Sequence, residues 1–410
     1  MSLSSSLSLF SSSKSIYSFR SLFLLFKVFT IDLFLGFLWF CRALSSQLFA
    51  PVTDTLVLHE LPQFNVGNVS VISGGAVKLK FLYAKYKRSR YRFNRVYLVS
   101  SCLPRYYLGL LTYCKLFGID IVYNQNGTGY YAWSKESTLF INFQLSLAIW
   151  SASYVFYQSK FCKKAAYSHL FHPHLFINKP SQILFNPISL PRHSELANSN
   201  SGSLLKSTDI ILFVVGSHHE IQRLILPLML IEDLIAKPLN YSFKLVIAGR
   251  IFHDIKSLIH CYAPSSSFNI ELFGAYDNNN LYDIFACKKG ILLHLKAYDP
   301  SPTVPVEAMS YGIPVICSAT GGMPEIVDSL AGINIDIFSS NDHKSIPPLS
   351  YHDSFSDLNS YYPTVDQLKK AVFDILQNYS SYSNHASLLS RDFEASNWLL
   401  KHTLVFNNIK

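Results

Sequence analysis

Cysteine motifs and charged residues are scarce in this 410-residue chain, and each shortage excludes a class of protein. The seven cysteines form no CxxC pair and no cluster with histidine, so neither a metal site nor a disulfide scaffold is indicated and we expect reduced, buried thiols in a cytosolic protein. Charged residues make up 15% of the chain and hydrophobic residues 49%, which predicts a large core. The length suits two α/β domains of ordinary size.

Acidic residues are few in the first half of the chain. Residues 1–200 contain 20 Lys and Arg against 6 Asp and Glu, a net charge of +14, whereas residues 201–410 contain 15 against 20, a net charge of −5. The densest basic run extends from Lys78 to Arg95. The first half is therefore expected to face anions. No nucleic-acid-binding module is legible, so we expect no nucleic-acid partner and favour anionic lipid head groups.

A hydrophobic segment follows the Ser-rich tract of residues 1–18. Residues 21–40 are long enough to span a bilayer, but Lys27 and Asp32 interrupt them. Four interpretations stay open: a helix lying in the membrane interface, a single transmembrane anchor, a cleaved signal peptide, or a helix packed on the first domain. The interfacial helix is favoured, and it predicts a cytoplasmic protein held peripherally on the inner face of the plasma membrane, with a single-pass anchor as the alternative. Residues 1–50 are thus assigned to membrane association.

Strand and helix patterns alternate along the rest of the chain, which predicts parallel sheets covered on both faces. The first series occupies residues 51–190. A polar segment with linker composition, residues 191–208, separates it from a second series at 209–380. Residues 381–410 are predicted to form a last helix. This pattern indicates two doubly wound, Rossmann-like domains.

The segment from Asp299 to Asp328, DPSPTVPVEAMSYGIPVICSATGGMPEIVD, is the most informative in the chain. Asp299 precedes Glu307 by eight positions, and Glu307 is predicted to open a short helix that Gly312 closes. A strand and a Gly321-Gly322 turn follow. Free backbone N–H groups beside a helix dipole are typical of phosphate sites. A carboxylate at Glu307 would repel phosphate and so is suited to accept hydrogen bonds from hydroxyls such as a ribose diol, which together indicate a nucleotide-sugar.

This segment resembles the donor-binding region of retaining glycosyltransferases of family 4, which have the GT-B fold. In that family two acidic residues with seven others between them precede an Ala-Met helix, a Gly-x-Pro-Val-Ile strand and a Gly-Gly-x-x-Glu-Ile-Val turn. The chain matches the whole pattern except that Asp299 stands where the family usually has Glu. Four further segments together resemble a bacterial branch of the family that is often linked to surface polysaccharides. They are NQNGTGYYAW (124–133), YQSKFCKKAA (157–166), LLHLKAYDPSPT (292–303) and SATGGMPE (318–325).

The resemblance implies roles for the acidic segment. Glu307 would bind the ribose hydroxyls of the donor, and Asp299 would contact the donor sugar near the reacting centre. Asp is one methylene shorter than Glu, so its backbone must come closer or it must reach a different hydroxyl. Other donor-binding groups are expected at the entrance of the helix and in the glycine turn: Ser301, Thr303, Val304, Gly321 and Gly322. Thr303 is equally suited to be an N-cap.

A strand after the linker ends at Gly216, where the family usually continues with Arg and has Lys about five residues later. Those two cations neutralise the diphosphate leaving group. Here Ser217 stands in the Arg position, so Arg223 is the available cation, because Arg suits bidentate phosphate contact. Lys296 is the second candidate. We therefore expect Gly216, Arg223 and Lys296 at the phosphates.

The first domain contributes two candidate groups. Gly74-Gly75 before a helix resembles the glycine loop that approaches the donor phosphates from across the cleft. Asn126 occupies the position at which many relatives carry a His near the transferred sugar. Asn cannot act as a general base, but the front-face mechanism proposed for retaining GT-B enzymes lets the departing phosphate take the acceptor proton. An ordinary Asn-Gly turn is an equally good interpretation of Asn126.

Taken together, the sequence predicts a retaining transferase that moves a sugar from a nucleotide-diphosphate sugar to a glycan or lipid-linked acceptor. No cofactor or metal is expected. The rival hypothesis is a degenerate GT-B protein that binds a nucleotide-sugar or a partner without turnover, and Asp299 and Ser217 are the residues that favour it.

Overall fold

Two separate parallel sheets organise the chain. The computed structural model describes residues 19–47, 56–58, 63–66, 69–72, 74–87, 89, 91, 93–130, 138–191, 209–236, 240–276, 281–285, 289–337 and 362–409. The Ser-rich tract at 1–18 and all but the first residue of the predicted linker lie outside the described residues.

The N-terminal domain is built on a five-stranded parallel sheet with the order β1-β4-β5-β6-β7. Its elements are α1 (Phe19–Gln47), β1 (Leu56–Leu58), β2 (Gln63–Val66), β3 (Val69–Ile72), α2 (Gly74–Lys85), β4 (Arg95–Val99), α3 (Tyr107–Leu116), β5 (Asp120–Gln125), α4 (Thr138–Ser151), β6 (Tyr154–Tyr157), α5 (Lys160–His169) and β7 (Ser181–Ile183). Successive residues of β4 enter different cores, with Val96 and Leu98 on one face of the sheet and Tyr97 and Val99 on the other. Period-two alternation between two buried faces is what a doubly wound sheet requires.

The segment between β1 and α2 differs from the expected loop. Strands β2 and β3 pair antiparallel, with Gln63 opposite Ile72 and Val66 opposite Val69. Two residues separate the strands, and their sequence is Gly-Asn, a pair typical of tight hairpins. The helix that follows begins at Gly74, so the two glycines form its first turn instead of a loop before it.

The C-terminal domain is built on a six-stranded parallel sheet with the order β10-β9-β8-β11-β12-β13. Its elements are β8 (Asp209–Val215), α6 (Gln222–Ile235), β9 (Ser242–Ala248), α7 (Ile255–Tyr262), β10 (Ile270–Gly274), α8 (Leu281–Phe285), β11 (Gly290–His294), α9 (Val304–Ser310), β12 (Val315–Ser318), α10 (Met323–Ile326), β13 (Gly332–Ile335), α11 (Val365–Gln377), α12 (Tyr379–Ser390) and α13 (Ala395–Asn408). The sequence did not predict β13, which has only four residues. The expectation of two doubly wound α/β domains is confirmed.

The last helix was predicted as one continuous segment, and the structure divides it. A 3-10 turn at Arg391–Phe393 and an extended Glu394 separate α12 from α13. The break lets Ala395 N donate a hydrogen bond to Ile188 O (3.0 Å), after which α13 packs on the N-terminal sheet through Trp398, Val405 and Phe406. The chain therefore returns to its first domain because the helix ends at residue 390 and a new one starts.

Helix α1 packs on the outside of the N-terminal domain. A Cβ on Gly109 of α3 would lie 2.0 Å from Gly36 O, so the two helix backbones touch. Trp39 and Ala43 are buried in the core beneath, and Arg105 Nε lies 3.5 Å from Asp32 Oδ1. One face of α1 is thus an integral part of the domain.

Candidate active site

Asp299 lies in the loop after β11, close to two cationic side chains and a buried histidine. Its Oδ2 is 3.3 Å from Lys296 Nζ and 3.5 Å from His294 Nε2. Burial alone would raise the pKa of Asp299, but Lys296, His294 and Arg223 more than offset it and hold this pKa below its ordinary value. The side chain is therefore a charged carboxylate at neutral pH. Lys296, predicted as a phosphate ligand, has this carboxylate as a neighbour.

The two glycines after β12 give the Asp299 loop room. Gly321 has φ +64°, and a Cβ there would lie 2.4 Å from Asp299 O. A Cβ on Gly322 would lie 2.2 Å from Pro300 O, and Gly322 N donates to Asp299 O (2.8 Å). The acidic loop itself therefore occupies the N–H group of Gly322. The glycines serve close packing of two loops.

Glu307 lies inside α9, which begins three residues earlier than predicted, at Val304. Pro305 suits the first turn because its missing N–H would have no helical partner there. Thr303 is at the N-cap position without a side-chain capping bond, and its carbonyl accepts from Glu307 N (2.9 Å). Burial raises the pKa of Glu307 to about 7, against a smaller opposing effect of the Thr303 hydroxyl. Near neutral pH the carboxyl group is thus both a donor and an acceptor in a large share of the molecules.

Ser301 lies just before α9. At the other end of α9, Gly312 closes the helix as the sequence predicts. Ser301 Oγ is buried and has no hydrogen-bond partner among the described residues, while Ser301 O accepts from Asn186 Nδ2 (2.6 Å). Gly312 has φ +71° and donates to Met309 O (2.8 Å). A buried hydroxyl without a partner is costly, so Ser301 offers a ligand one unused hydrogen-bonding group.

Arg223 reaches the same region from α6. It is 6% exposed, and its Nη1 donates to Ser217 O (2.7 Å). Gly216 has φ +132°, and Arg223 Nη2 is 3.5 Å from where a Cβ on Gly216 would be. The guanidinium therefore lies against the turn that ends β8, near enough to Asp299 to lower its pKa. Gly216, Arg223, Lys296 and Asp299 meet at the carboxyl ends of β8 and β11.

Sequence reasoning missed a stack of rings beside this turn. The His219 ring lies 3.8 Å from that of Phe252, centroid to centroid, at an interplanar angle of 23°. Arg250 Cζ lies 4.5 Å from the Phe252 centroid, and Phe252 is 41% exposed. The available signal was the pair of glycines, Gly216 and Gly249, that end neighbouring strands. The stack places an aromatic ring, an imidazole and a guanidinium beside the turn that ends β8.

Asn126 follows β5 in the N-terminal domain and is held by four protein groups. Its Nδ2 donates to Ser101 Oγ (2.6 Å), its N to Ser100 Oγ (2.8 Å), and its carbonyl accepts from Cys162 Sγ (2.7 Å). Its Oδ1 accepts from Lys78 Nζ (3.0 Å). These bonds fix the amide in one orientation.

The basic run at 78–95 is not the continuous surface patch that the sequence suggested. Lys78 is 1% exposed, and Arg95 Nη2 donates inward to Ile409 O (3.3 Å). Lys80 and Lys87 are exposed, while residues 88, 90 and 92 lie outside the described residues. Sequence patterns missed Lys78 as a site residue because its partners are 46 and 48 positions away.

The N-terminal domain contacts the acidic loop directly. Tyr130 Oη donates to Tyr298 O (2.6 Å), and Ser159 Oγ donates to Pro300 O (2.7 Å). A Cβ on Gly127 would lie 3.4 Å from Pro300 Cγ. The residue next to Asn126 therefore packs on the residue next to Asp299, which brings the candidates of the two domains to one site. Gly74 and Gly75 also belong to the N-terminal domain, where they form the first turn of α2.

A second contact joins the domains through a helix end. Glu325 accepts hydrogen bonds from Lys160 N (2.7 Å) and Phe161 N (2.8 Å), which are the first two N–H groups of α5. A carboxylate at a helix N-terminus is stabilised by the free N–H groups and by the helix dipole.

Within the described residues, no group of three or more His, Cys, Asp or Glu side chains is placed to hold a metal ion.

Comparison with known proteins finds a family match in the second domain and similar folds over most of the chain. Residues 198–345 match the family model "Glycosyl transferases group 1". An uncharacterised 41.2 kDa protein in the cps region of Klebsiella pneumoniae is 27% identical over 164 residues, which are 39% of this chain and 42% of that protein. The chain thus matches less than half the length of this curated relative.

Solved structures resemble a larger part of the chain. Anabaena HepE, solved with UDP and glucose, has a TM-score of 0.54 at 14% identity and covers 81% of each chain. Sucrose-phosphate synthase from Thermosynechococcus elongatus has a TM-score of 0.53 at 14% identity, with 87% of each chain covered. WaaG, a glycosyltransferase involved in lipopolysaccharide biosynthesis, has a TM-score of 0.50 at 14% identity, over 83% of this chain and 95% of its own. These likenesses show the GT-B fold, and with the family match they support a glycosyltransferase.

Proposed function

We propose that the protein is a retaining glycosyltransferase that moves a sugar from a nucleotide-diphosphate sugar to an acceptor. The observation that carries the proposal is the meeting of Arg223, Lys296 and Asp299 at the carboxyl ends of parallel strands, where ligands bind in this class of sheet. The buried Glu307 follows in the helix that the Asp299 loop enters. The family match includes the residues from Asp299 to Glu325. The UDP and glucose named for HepE make a nucleotide-sugar the donor to test first.

Each charged group has a role that its surroundings support. Arg223 and Lys296 stabilise the negative charge that develops on the leaving diphosphate. Glu307 holds the ribose hydroxyls, and Asp299, kept ionised by its neighbours, faces the sugar. The glycosidic C–O bond to the diphosphate breaks while the acceptor oxygen bonds to the same face of the sugar. The acceptor proton passes to the departing phosphate, so Asn126 need only hold the reactants. Protein cations neutralise the leaving group in this scheme, which therefore uses no metal.

The acceptor is proposed to be a lipid-linked or surface-polysaccharide glycan at the inner face of the membrane. Residues 28–46 of α1 are long and apolar enough to cross a membrane, but 22% of that span is buried inside the protein. The opposite face exposes Leu33, Phe34, Phe37 and Leu38, with Arg42 nearby and exposed. A helix fixed to its domain by one face and apolar on the other favours lying in the interface over spanning it.

The test measures binding and turnover in separate steps. The purified protein is titrated calorimetrically with UDP-, GDP-, ADP- and dTDP-sugars, and release of the nucleoside diphosphate is then followed with lipid-extract acceptors. We expect one donor class to bind and to be consumed. Binding without release would favour the degenerate protein, and no binding to any donor would refute both. The anomeric configuration of the product, read by NMR, tests the retaining mechanism.

A further inference from the structure

Lys78 is a buried cation that the proposed chemistry does not use. It lies in the second turn of α2 with 1% of its surface exposed, and its Nζ donates to Asn124 Oδ1 (2.9 Å) and Asn126 Oδ1 (3.0 Å). Among the described ion pairs none includes Lys78. Taking an ammonium group out of water without a carboxylate partner is expensive. Lys80, two residues along the same helix, is exposed and avoids this cost.

The groups around Lys78 provide no counter-charge. The Cys102 and Cys162 thiols and the His402 ring approach it from three other elements. Burial raises the pKa of Cys162 to about 12 and lowers the pKa of His402 to about 3, so the Cys162 thiol and the His402 ring are uncharged at neutral pH. The amide oxygens of Asn124 and Asn126 are therefore the main stabilising partners of the ammonium group.

Both amides lead to the transfer site. Asn126 is next to Gly127, which packs on Pro300. Asn124 Oδ1 also accepts from Gln158 Nε2 (3.2 Å), and Gln158 Oε1 accepts from Asn186 Nδ2 (3.1 Å), which also donates to Ser301 O. Lys78 is thus connected to the loop of Asp299 in two ways: through Asn126 and the contact of Gly127 with Pro300, and through the hydrogen-bonded chain from Asn124 to Ser301.

We propose that Lys78 is a positioning residue for sugar transfer, which fixes the Asn126 amide at the reacting centre and, through Asn124, the Gln158–Asn186 contact with the acidic loop. This inference rests on the proposed transferase function. A charged donor makes stronger hydrogen bonds than a neutral one, so it holds an amide oxygen more tightly than water or a hydroxyl would. Lys78 acts through Asn126 and Asn124 and contacts no donor itself.

The test is a double-mutant cycle. Lys78→Met keeps the side-chain length and removes the donors, Asn126→Ala removes the positioned amide, and Lys80→Met is the exposed control on the same helix. Loss of hydrogen bonds to a charged group predicts a fall in kcat of about 10- to 150-fold for Lys78→Met, with the donor KM changed less than about twofold. The double variant should be slower than wild type by clearly less than the product of the two single losses, because part of the Lys78 effect passes through the Asn126 amide.

Additive losses in the double variant, with wild type active, would overturn the positioning role and leave the transferase intact. An inactive wild type would instead refute the function on which the inference rests. A loss in Lys78→Met that merely follows its unfolded fraction, measured by thermal melting, would show a structural role and also overturn the proposal.

A second variant covers the case in which Lys78→Met does not fold. Burial lowers the pKa of Lys78 to about 7, so kcat should decline as the pH rises through about 7 and the ammonium loses its proton. Asn124→Asp keeps the shape and places a carboxylate 2.9 Å from Nζ at the site of the present amide oxygen, which favours the charged form. We expect the decline to move at least about one pH unit upward. An unmoved profile would contradict the inference.

Discussion

The two sides of the candidate site handle charge in opposite ways. On the C-terminal side, the Asp299 carboxylate has the Lys296 ammonium and the Arg223 guanidinium as counter-charges, and the uncharged His294 ring lies beside it. On the N-terminal side, Lys78 stands among amides, hydroxyls and thiols. The C-terminal side is expected to hold the diphosphate. Its cations therefore already have a carboxylate partner, Asp299, before a ligand binds. On the N-terminal side, which is expected to hold neutral hydroxyls, the buried Lys78 ammonium binds the Asn126 amide and has no anion beside it among the described ion pairs.

The largest test of this comparison removes a cation from the C-terminal side. Arg223→Ala should lower kcat by about 10²- to 10³-fold, since one group that stabilises developing charge in a water-excluded site contributes this much. Its melting temperature should change little by comparison. Arg391→Ala, an exposed arginine in the 3-10 turn, is the control. Activity within about twofold of wild type would move the phosphate contact to Lys296.

The pH dependence of stability should differ between the two sides. The folded-state pKa of Glu307 is raised from 4.5 to about 7, so the folded state binds a proton that the unfolded state has lost, and Glu307 destabilises increasingly as pH rises through this window. The folded-state pKa of Lys78 is lowered from 10.5 to about 7, so Lys78 destabilises increasingly as pH falls from 10.5 to about 7. Each effect amounts to at most a few kcal/mol, at about 1.4 kcal/mol per pKa unit.

Urea unfolding at pH 5, 7 and 9 measures both effects. The stability of Glu307→Gln relative to wild type should increase from pH 5 to 7, and that of Lys78→Met relative to wild type should decrease from pH 7 to 9. Parallel pH profiles for the two variants and wild type would remove the contrast between the two sides.

At about pH 8, where most Glu307 carboxyl groups are ionised, Glu307→Ala should weaken donor binding by about 10- to 150-fold, because hydrogen bonds to a charged acceptor are lost. Glu307→Gln keeps the size and the hydrogen-bonding capacity and should lose much less. Calorimetry with the best donor checks both. Unchanged affinity in a folded alanine variant would show that Glu307 does not bind the ribose. The C-terminal side would then keep only its proposed phosphate contacts.

The smallest effect concerns membrane binding. Phe34→Gln with Phe37→Gln should weaken binding to phosphatidylglycerol vesicles by about 5- to 30-fold, since part of the burial of each ring, worth about 1.5–3 kcal/mol when complete, is lost. Phe268→Gln is the control, because Phe268 lies in the C-terminal domain and is 98% exposed. Deleting the whole segment is a poorer test, because Trp39 and Ala43 belong to the core. Equal co-sedimentation of all variants would contradict the interfacial helix.

Sequence could predict one side of the site and not the other, for a physical reason. Asp299, Glu307 and the glycine pair lie within 24 consecutive residues, where a strand end, a helix and a turn must follow one another, so local patterns suffice. Lys78 meets Asn124 and Asn126 only after two parallel strands have formed beside α2. Its place in a basic run indicated a solvated face, and tertiary burial overrode that indication. The break between α12 and α13 was missed similarly, since the contact with Ile188 that requires it is remote in sequence.

The two hydrogen bonds between Glu325 and the start of α5 predict that any separation of the domains depends on ionic strength. Separating the domains would return the Glu325 carboxylate to water and expose the N–H groups of Lys160 and Phe161. Dissolved salt screens a carboxylate against a helix dipole, whereas it acts far less on hydroxyl-to-carbonyl bonds such as that from Ser159 to Pro300. Because the same boundary holds the loop of Asp299, an opened molecule also loses the alignment of its acid with the facing domain.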